Sequence, residues 1–539
     1  DELAPGWTEY RDRLLVQTHD VTAALAPGEH EIAVVLGNGW YRGNLTWQMR
    51  ECVYGPDLWL LAQVELTGRE GAVVVGTDAD WSWRPSNITA NDLYNGQSSD
   101  LRLPELGSPD AEAPVKVLPL PEASLEPTAL PLPAVVGELD GVVVITTPSG
   151  KRVVDFGQNL TGHVRLTVRG EAGSTIALRH AEVLEEGELG SRPLRGAECT
   201  DRVTLSGGDD VFDPTLTQHG FRYVEVDGFP GGDDVLLAAA AARVVSAGME
   251  RAAWFDCSSE PVARLVENTR WSTIDNFITV PTDCPQRDER LGWTGDIGVF
   301  APTALSLYDA AAFLTSWTTD LAAGAVPVVI PDVLGGTRLT CAWGDAVALV
   351  PWAVYEASGD AAVLAASVDA MARFVDGVDS VAGPSHLWRG GFQFGDWLDP
   401  DAPPQNPGAA KADPDVVATA YFARSAGITA RACAILGQTE RAARYEALAA
   451  SVRPYLEEPF DRLIVSMHGI PTSHIPKACR HDNGVVGGCA SRRSWHERWG
   501  EEDCYRLQCE ETKDYLCRDL GLAPDKVELV YQSRLGIHE

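Results

Sequence analysis

The spacing of apolar residues changes once along this chain, from a strand-like to a helix-like period. Before residue 250, runs such as VVVITT, HVRLTVRG and YVEVDGF are separated by turns that contain Gly or Asn, a pattern typical of strands in sandwich-like domains. From about residue 258, apolar residues recur at helical spacing, beginning with Val262, Leu265 and Val266. The sequence therefore predicts β domains followed by an all-α domain.

Individual elements can be placed within this pattern. Among the first 135 residues, HEIAVVLGNGWYRG (30–43) and LWLLAQVELTG (58–68) are strand-like. The Pro-rich segment 103–134 predicts an extended connector, because Pro is excluded from helix interiors and central strands. In the helical part we expect helices over residues 309–322, 346–356, 361–375, 416–436 and 440–452.

A chain of 539 residues is long enough for several domains. The tail contains strand-like segments at 463–466 and 527–531 on either side of a helical segment at about 503–519, which indicates a small βαβ-like unit. We expect four domains: an N-terminal β-sandwich with the Pro-rich connector (1–134), a second β-sandwich (135–247), a helical domain (248–450) and an α/β tail (451–539).

Composition excludes several classes of protein. The formal net charge is −34, so binding to the phosphate backbone of a nucleic acid is disfavoured. No apolar run approaches the roughly 20 residues of a membrane helix, and no membrane partner is expected. A targeting signal begins with a basic segment that is followed by an apolar one. The opening residues DELAPGWTEY contain neither, so we expect no targeting signal and a start inside a domain.

The last 81 residues have a different composition from the rest of the chain. They contain five of the eleven cysteines, and their 11 basic residues nearly balance 13 acidic ones. The other six cysteines are widely spaced and follow no motif, which slightly favours a reducing compartment such as the cytosol. This change near residues 440–460 indicates a domain boundary.

The segment PTDCPQRDERLGWTGD, residues 281–296, has the composition of a reactive site. It interleaves the carboxylates of Asp283, Asp288, Glu289 and Asp296 with Arg and Trp. Carboxylates bind sugar hydroxyls, Trp stacks on the apolar face of a sugar ring, and glycoside hydrolysis needs carboxyl groups of different pKa. The alternative interpretation is a solvated acidic loop.

Two later loops repeat this combination of acids and aromatic residues. AWGD contributes Trp343 and Asp345, and FGDWLDPD contributes Asp396 and Trp397. These four residues are further candidates for substrate binding.

The segment DCPQRDERLGWTGD closely resembles the signature of bacterial α-L-rhamnosidases, glycoside hydrolase family 78. The resemblance implies two accessory β-sandwich domains followed by an (α/α)6 barrel that is incomplete here. It also implies hydrolysis of terminal α-L-rhamnose from glycosides, with inversion and without a cofactor. The resemblance extends from residue 1 to about 445 through GWTEYRDRLLVQTHDVT, LGNGWYRG, DFGQNLTGHVRL, RHAEVL, HGFRYVEV, AWGDAVALVPW and FGDWLDP.

Roles for individual residues follow from this resemblance. Glu289 would be the general acid, and Asp283 and Asp296 would bind sugar hydroxyls and raise the pKa of Glu289, while Arg287 and Arg290 would oppose that rise. The substrate-binding set would be Asp283, Arg287, Trp293, Asp296, Trp343, Asp345, Asp396 and Trp397.

The general base of the family belongs to a Trp-Glu-Arg-Trp motif in the last part of the barrel, beyond the matched region. RSWHERWGEED in the tail resembles that motif apart from an inserted His496, which makes Glu497 a nominal candidate for the base.

Residues 460–539 resemble part of a ferrochelatase, through FDRLIVSMHGIP, CYRLQCEETKDYLCRDLGL and VELVYQSRLG. The resemblance implies that His468 is the histidine of metal insertion, although a His in a Gly-Pro turn is commonly structural. It also makes Cys479, Cys489, Cys504 and Cys509 candidate ligands of an iron–sulfur cluster or of zinc, with free thiols as the alternative. The chain that joins these two resemblances is either a fusion of two partial domains or the product of a composite gene model.

Three functions remain open at this point. The first is an inverting glycoside hydrolase for rhamnose-containing glycosides, which is defective if its base is absent. The second is a carbohydrate-binding protein without turnover, and the third is a chelatase or iron–sulfur module formed by the tail. The natural glycoside and the oligomeric state are not indicated by the sequence.

Overall fold

The structure is a computed structural model. It describes residues 2–457 except 27, 69–70, 129, 323–325, 337–338 and 404, together with two short strands at 463–466 and 527–530. The chain divides into two compact units. The first comprises Asp1–Glu250, Ser272–Arg338 and Glu356–Ser358, and the second comprises Arg251–Trp271, Leu339–Tyr355 and Gly359–Glu539.

The part of the chain before residue 250 is rich in strands. In chain order they are β1 (Arg13–Val16), β2 (Gln63–Gly68), β3 (Gly71–Gly76), β4 (Ser82–Trp83), β5 (Ile88–Asp92), β6 (Gly96–Asp100), β7 (Ala113–Pro114), β8 (Ser124–Pro127), β9 (Pro133–Asp140), β10 (Val143–Thr146), β11 (Arg152–Arg169), β12 (Thr175–Ala181), β13 (Leu184–Glu185), β14 (Glu188–Leu189), β15 (Thr200–Thr204), β16 (Asp209–Phe212), β17 (His219–Asp227) and β18 (Ala240–Ala247). The tail adds β19 (Leu463–Ser466) and β20 (Val527–Val530), which pair in parallel.

One large sheet dominates the first unit. Its strand order is β5-β6-β15-β12-β17-β11-β18-β9, and β10 and β16 also pair with β11. The pairs are antiparallel except for β6 and β15, which are parallel. Apolar side chains of the long central strand and its neighbours are almost fully buried, among them Val153, Leu166, Ile176, Leu178 and Phe221. The sheet is therefore a rigid base for the loops at its edges.

The described helices are concentrated after residue 258, as the periodicity predicts. They are α1 (Gly39–Arg42), α2 (Asp233–Ala239), α3 (Glu260–Asn276), α4 (Thr294–Leu307), α5 (Ala311–Ala322), α6 (Ala346–Ser358), α7 (Ala361–Ala382), α8 (Pro414–Ile435) and α9 (Thr439–Glu457). Each of the five expected helices is present within a few residues of its predicted start, and α7 continues seven residues further to Ala382. Within the described residues, no helix combines the length and apolar character needed to cross a bilayer.

Two local expectations differ from the structure. Residues 30–38 form no strand, and α1 follows at Gly39–Arg42. Their apolar side chains, such as Ile32 and Val34, are exposed. The segment has the composition of a strand, but no other strand pairs with it among the described residues. The strand expected over residues 58–68 begins only at Gln63. β9 begins at Pro133, beside the domain boundary predicted at residues 134–135, which stays a prediction. A strand tolerates Pro as its first residue, so the Pro-rich segment leads directly into the large sheet.

A buried ion pair joins β1 to α5 within the first unit. The Nε and Nη2 atoms of Arg13 donate to the two carboxylate oxygens of Asp320, each at 2.9 Å. Both side chains are less than a tenth exposed. Such a bidentate pair is costly to break because its loss leaves one charge buried without its partner.

Replacing Asp320 with Ala is expected to lower the free energy of unfolding by about 3 kcal/mol, since Arg13 would keep a buried charge. The matched control is Asp209→Ala, which breaks the exposed pair with Arg169 and should cost less than about 1 kcal/mol. The measurement is the unfolding midpoint in urea for both variants. Equal midpoints for the two variants would contradict the assignment.

Candidate active site

The acidic loop, residues 281–293, connects α3 to α4. Its ends are tied by isolated bridges between Phe277 and Pro281 and between Trp293 and Val329. Gly292 lies so close to the neighbouring backbone that an added Cβ would be 2.2 Å from the carbonyl oxygen of Ile330. This close approach explains why Gly is needed there, at the base of the loop that carries Glu289.

Glu289 is held at both carboxylate oxygens. Its Oε2 atom accepts hydrogen bonds from Nη1 of Arg195 at 2.9 Å and from Nε of Arg287 at 2.8 Å. Its Oε1 atom accepts one from Nε1 of Trp293 at 3.1 Å. The residue is 8% exposed. The carboxyl group is therefore oriented by three N–H donors and still reaches the surface.

Asp283 lies next to Glu289, with carboxylate oxygens within 4.8 Å of one another. It accepts hydrogen bonds from Nη2 of Arg287 at 2.5 Å and from the backbone N–H of Leu291 at 2.9 Å. Burial and the neighbouring Glu289 carboxylate raise the pKa of Asp283 to about 6, although Arg287 opposes this. A carboxyl with this pKa exchanges its proton close to neutral pH.

Asp296 lies in the first turn of α4 and is exposed at the surface. Although Asp296 is exposed, the protein around it partly desolvates its carboxyl group, and this effect and then the Glu289 carboxylate raise the pKa of Asp296. The acidic loop and α4 thus bring Asp283, Arg287, Glu289, Trp293 and Asp296 into one small region of the first unit, as the sequence motif predicts.

Residues of the β part fix the backbone of the acidic loop. The guanidinium of Arg290 is buried and donates to the carbonyl oxygens of Leu93 and Gln218, each at 2.7 Å, and of Gln286 at 3.1 Å. The hydroxyl of Tyr94 donates to the backbone oxygen of Glu289 at 2.5 Å. The sequence predicts that Arg290 acts on the site carboxylates; instead its guanidinium binds backbone oxygens, because it points away from them into the sheet.

Arg195 is a site residue that the sequence analysis missed. It follows the short 3-10 helix Arg192–Leu194 and has a φ of +56°. Its side chain is 49% exposed, yet its Nη1 atom binds Glu289. The next residue, Gly196, donates its backbone N–H to Asp288 at 3.0 Å. No local pattern marks this turn, which lies more than eighty residues before the acidic loop.

The remaining candidates lie in the second unit. Trp343 packs against Phe394 with ring centroids 4.4 Å apart, and Phe394 meets Trp397 edge to face at 5.5 Å. Trp397 and Asp396 are at least partly exposed, so this aromatic surface is open to a ligand.

Asp345 is placed differently from the other candidates, because it is fully buried. It accepts hydrogen bonds from the backbone N–H of Ala342 at 2.6 Å and from the hydroxyl of Ser425. Burial raises the pKa of Asp345 to about 6. Its contacts link the start of α6 to α8.

Asp283, Cys284 and Glu289 lie close enough together to share a metal ion. However, the guanidinium of Arg287 already bridges the Asp283 and Glu289 carboxylates and supplies the compensating positive charge there. The acidic loop is therefore built around an arginine. The candidates in the tail, Glu497, His468, Cys479, Cys489, Cys504 and Cys509, lie outside the described residues.

Four family models match the chain. Residues 1–131 match the α-L-rhamnosidase N-terminal domain, 145–246 the bacterial α-L-rhamnosidase concanavalin-like domain, and 250–462 the bacterial α-L-rhamnosidase six-hairpin glycosidase domain. Residues 439–539 match ferrochelatase. Both resemblances found in the sequence are confirmed, and the two matches overlap at residues 439–462.

Individual relatives agree with these matches. An α-L-rhamnosidase of Streptomyces avermitilis is 39% identical over 458 residues, which cover 81% of this chain and 43% of that protein. A ferrochelatase of Pseudomonas putida is 39% identical over 103 residues, or 18% of this chain and 29% of that protein. The chain spans about half the length of the α-L-rhamnosidases it matches.

Solved structures show the same architecture of sheet-rich domains followed by a helical region. The α-L-rhamnosidase of Aspergillus terreus has a TM-score of 0.81 at 32% identity, covering 96% of this chain and 60% of that one. The S. avermitilis α-L-rhamnosidase in complex with L-rhamnose has a TM-score of 0.79 at 32% identity. The match covers 96% of this chain and 49% of that one.

The raised pKa of Asp283 predicts a pH dependence of stability. Since an unfolded Asp ionises near pH 4 and folded Asp283 near pH 6, the folded chain binds an extra proton between these values. Its stability should therefore be highest below pH 4 with respect to this group, and should fall as the pH rises to 6. Asp283→Asn is expected to flatten the fall in unfolding midpoint between pH 4 and 6.5.

The raised pKa of Asp345 also makes stability fall as the pH rises. Asp283→Asn should therefore remove only part of the dependence of the unfolding midpoint on pH. The control is Asp209→Asn at an exposed position, which should leave the slope unchanged. Parallel curves for wild type and Asp283→Asn would show that Asp283 does not hold the extra proton.

Proposed function

We propose that this chain is a glycoside hydrolase that releases terminal α-L-rhamnose, because residues 1–131, 145–246 and 250–462 match the models of three α-L-rhamnosidase domains. The observation that carries the proposal is Glu289, a nearly buried carboxyl oriented by Arg195, Arg287 and Trp293 beside Asp283. The chemistry needs only carboxyl groups and water, and therefore no cofactor.

Glu289 is the proposed general acid. It gives its proton to the glycosidic oxygen as the bond to the sugar breaks. In the structure Oε2 accepts two N–H hydrogen bonds and Oε1 accepts one, so Oε1 can carry the proton and keep its contact with Trp293.

Inversion requires a second carboxylate about 6.5–9.5 Å from the acid, with a water molecule between the base and the sugar. One carboxylate oxygen of Asp283 lies within 4.8 Å of one of Glu289, which is too close for this arrangement. We therefore assign Asp283 to binding a sugar hydroxyl, together with Asp296. The base must come from elsewhere, and Glu497 remains a nominal candidate outside the described residues.

Aromatic side chains in each unit are separate candidates for sugar binding. Trp293 stands at the acidic loop, and Trp343, Asp396 and Trp397 form part of an open surface of the second unit. Indole rings stack on the apolar face of a sugar, and a 6-deoxy sugar such as rhamnose adds a methyl group to that face. Asp345 supports this region from its buried position and does not touch the sugar.

We further propose that the helices from α3 to α9 belong to an incomplete (α/α)6 barrel. The match to a six-hairpin glycosidase domain over residues 250–462 supports this architecture. The domain limits 1–134, 135–247, 248–450 and 451–539 remain predictions. The ferrochelatase-like tail corresponds to 29% of a ferrochelatase, and no described residue favours chelation as the function of the chain.

The first test is release of the aglycone from two α-L-rhamnosides by the full chain and by Glu289→Gln. Loss of general acid catalysis is expected to cost about 10²–10⁴-fold for an alkyl glycoside, whose leaving group needs the proton. The cost should be much smaller for a nitrophenyl glycoside, whose leaving group does not. Glu198→Gln, at an exposed position on a neighbouring loop, is the matched control.

Equal losses on the two substrates would contradict the acid role of Glu289. A folded wild-type chain that binds rhamnose but releases neither aglycone would instead support a carbohydrate-binding protein that lacks its base.

The second test separates the two contributions of Trp293. Trp293→Ala removes both the ring and the hydrogen bond to Glu289, and is expected to weaken rhamnose binding about fivefold through the loss of about 1 kcal/mol of stacking. Trp293→Phe keeps an aromatic ring and loses only the N–H donor. It should retain affinity within about twofold but change turnover. Titration calorimetry with L-rhamnose measures the affinities and aglycone release measures turnover, and unchanged affinity in Trp293→Ala would limit this residue to orienting Glu289.

A further inference from the structure

A second polar cluster lies in the large sheet, separate from the acidic loop carboxylates. It consists of His180 at the end of β12, Asp201 in β15 and His219 at the start of β17. These three strands are adjacent in the order β15-β12-β17. All three side chains are fully buried, and the two imidazole rings stack with centroids 4.2 Å apart. We call this group the His–Asp–His cluster.

The hydrogen bonds of the cluster leave a defined set of atoms unpartnered. Nε2 of His219 lies 3.1 Å from Oδ1 of Asp201, which also accepts the backbone N–H of Gln97 at 2.8 Å. Three buried atoms have no hydrogen-bond partner among the described residues: Nε2 of His180, Oδ2 of Asp201 and Nδ1 of His219. Buried polar atoms without partners are rare because each costs about 1–3 kcal/mol.

The tautomer of His180 follows from its surroundings. Its Nδ1 atom lies 3.1 Å from the carbonyl oxygen of Cys199, which can only accept, so Nδ1 carries the proton. In a neutral ring Nε2 then has a free lone pair, and it faces Oδ2 of Asp201 at 3.8 Å. The two acceptors therefore face each other in a buried site, where a cation between them would satisfy both.

We propose that His180, Asp201 and His219 bind a divalent transition-metal ion of the zinc class as a structural centre of the sheet. Two imidazoles and a carboxylate are a donor set that zinc accepts, with bonds of about 2.0–2.2 Å. Nε2 of His219 is 3.1 Å from Oδ1 of Asp201 and Nε2 of His180 is 3.8 Å from Oδ2, and one ligand atom of each residue lies within 4.8 Å of the others. Tetrahedral coordination separates ligand atoms by roughly 3.3 Å, so the side chains would close in on the ion, and a buried water would supply the fourth ligand. All three side chains are fully buried, which favours a structural ion over a catalytic one.

The surroundings of the cluster fit the proposal. Ligand histidines commonly donate their second N–H to a backbone carbonyl, as His180 does to Cys199. The three strands hold the donors on a rigid frame, which limits the entropy lost on binding.

The test is the metal content of the full chain expressed in zinc-supplemented medium and measured by plasma mass spectrometry. Wild type is compared with Asp201→Asn and His180→Gln, each of which should lose one equivalent of zinc and lower the unfolding midpoint. His163→Gln is the matched control, because His163 is equally buried on β11 but pairs with Asp213, outside the cluster. The tail variant Cys479→Ser controls for metal held by the tail, and both controls should keep the equivalent lost by the cluster variants.

Crystals of the wild-type chain provide a measurement that does not depend on the folding of any variant. Anomalous scattering at the zinc edge should place one ion between the three side chains. Equal metal content in all variants, or no zinc in the wild type at this position, would overturn the proposal and leave the cluster as a His219–Asp201 ion pair beside a neutral His180.

Discussion

The buried guanidinium of Arg290 is the interaction on which the geometry of the acidic loop depends. An arginine side chain carries a permanent charge, so it can be buried only where several acceptors surround it. Here the acceptors are backbone carbonyl oxygens of Leu93, Gln218 and Gln286, and the guanidinium also lies over the ring of Tyr94. Because these oxygens belong to segments far apart in the chain, a single side chain fixes the loop against the sheet. Arg290 itself has a φ of +50°, which turns the backbone so that Glu289, one residue earlier, faces the other way.

This arrangement changes the role of the β part of the chain. By resemblance it is an accessory region, yet Tyr94, Arg195 and Gly196 contact Glu289 and its neighbour Asp288 directly. The sheet therefore positions the proposed acid and also contributes one of the groups that bind its carboxylate. A substitution in the turn at residues 192–196 would alter the site without touching the motif that identifies it.

The first unit stabilises buried charged side chains in two different ways. Around Glu289, carboxylates alternate with guanidinium groups, and burial together with the Glu289 carboxylate raises the pKa of Asp283. In the His–Asp–His cluster there is one carboxylate, and among the described residues several of the cluster's buried polar atoms have no hydrogen-bond partner. Arg287 already bridges the Asp283 and Glu289 carboxylates, whereas Asp201 pairs with histidines alone among the described residues, so the His–Asp–His cluster is the better candidate for a bound ion.

The sequence by itself determined the order of elements and the residues of the acidic loop. Strand-type alternation before residue 250 and helical spacing after 258 are local properties, since each is set by the period with which side chains meet the core. The starts of α6, α7 and α9 agree with the sequence within a residue for that reason. Only the tertiary structure decided which residues far apart in the sequence contact one another. Arg195 binds Glu289, Arg290 turns away from the carboxylates, Asp345 is buried against Ser425, and residues 30–38 form no strand although their composition favours one. A local pattern records how often a side chain faces inward, but the hydrogen bonds that define a site depend on which distant segment is placed opposite it.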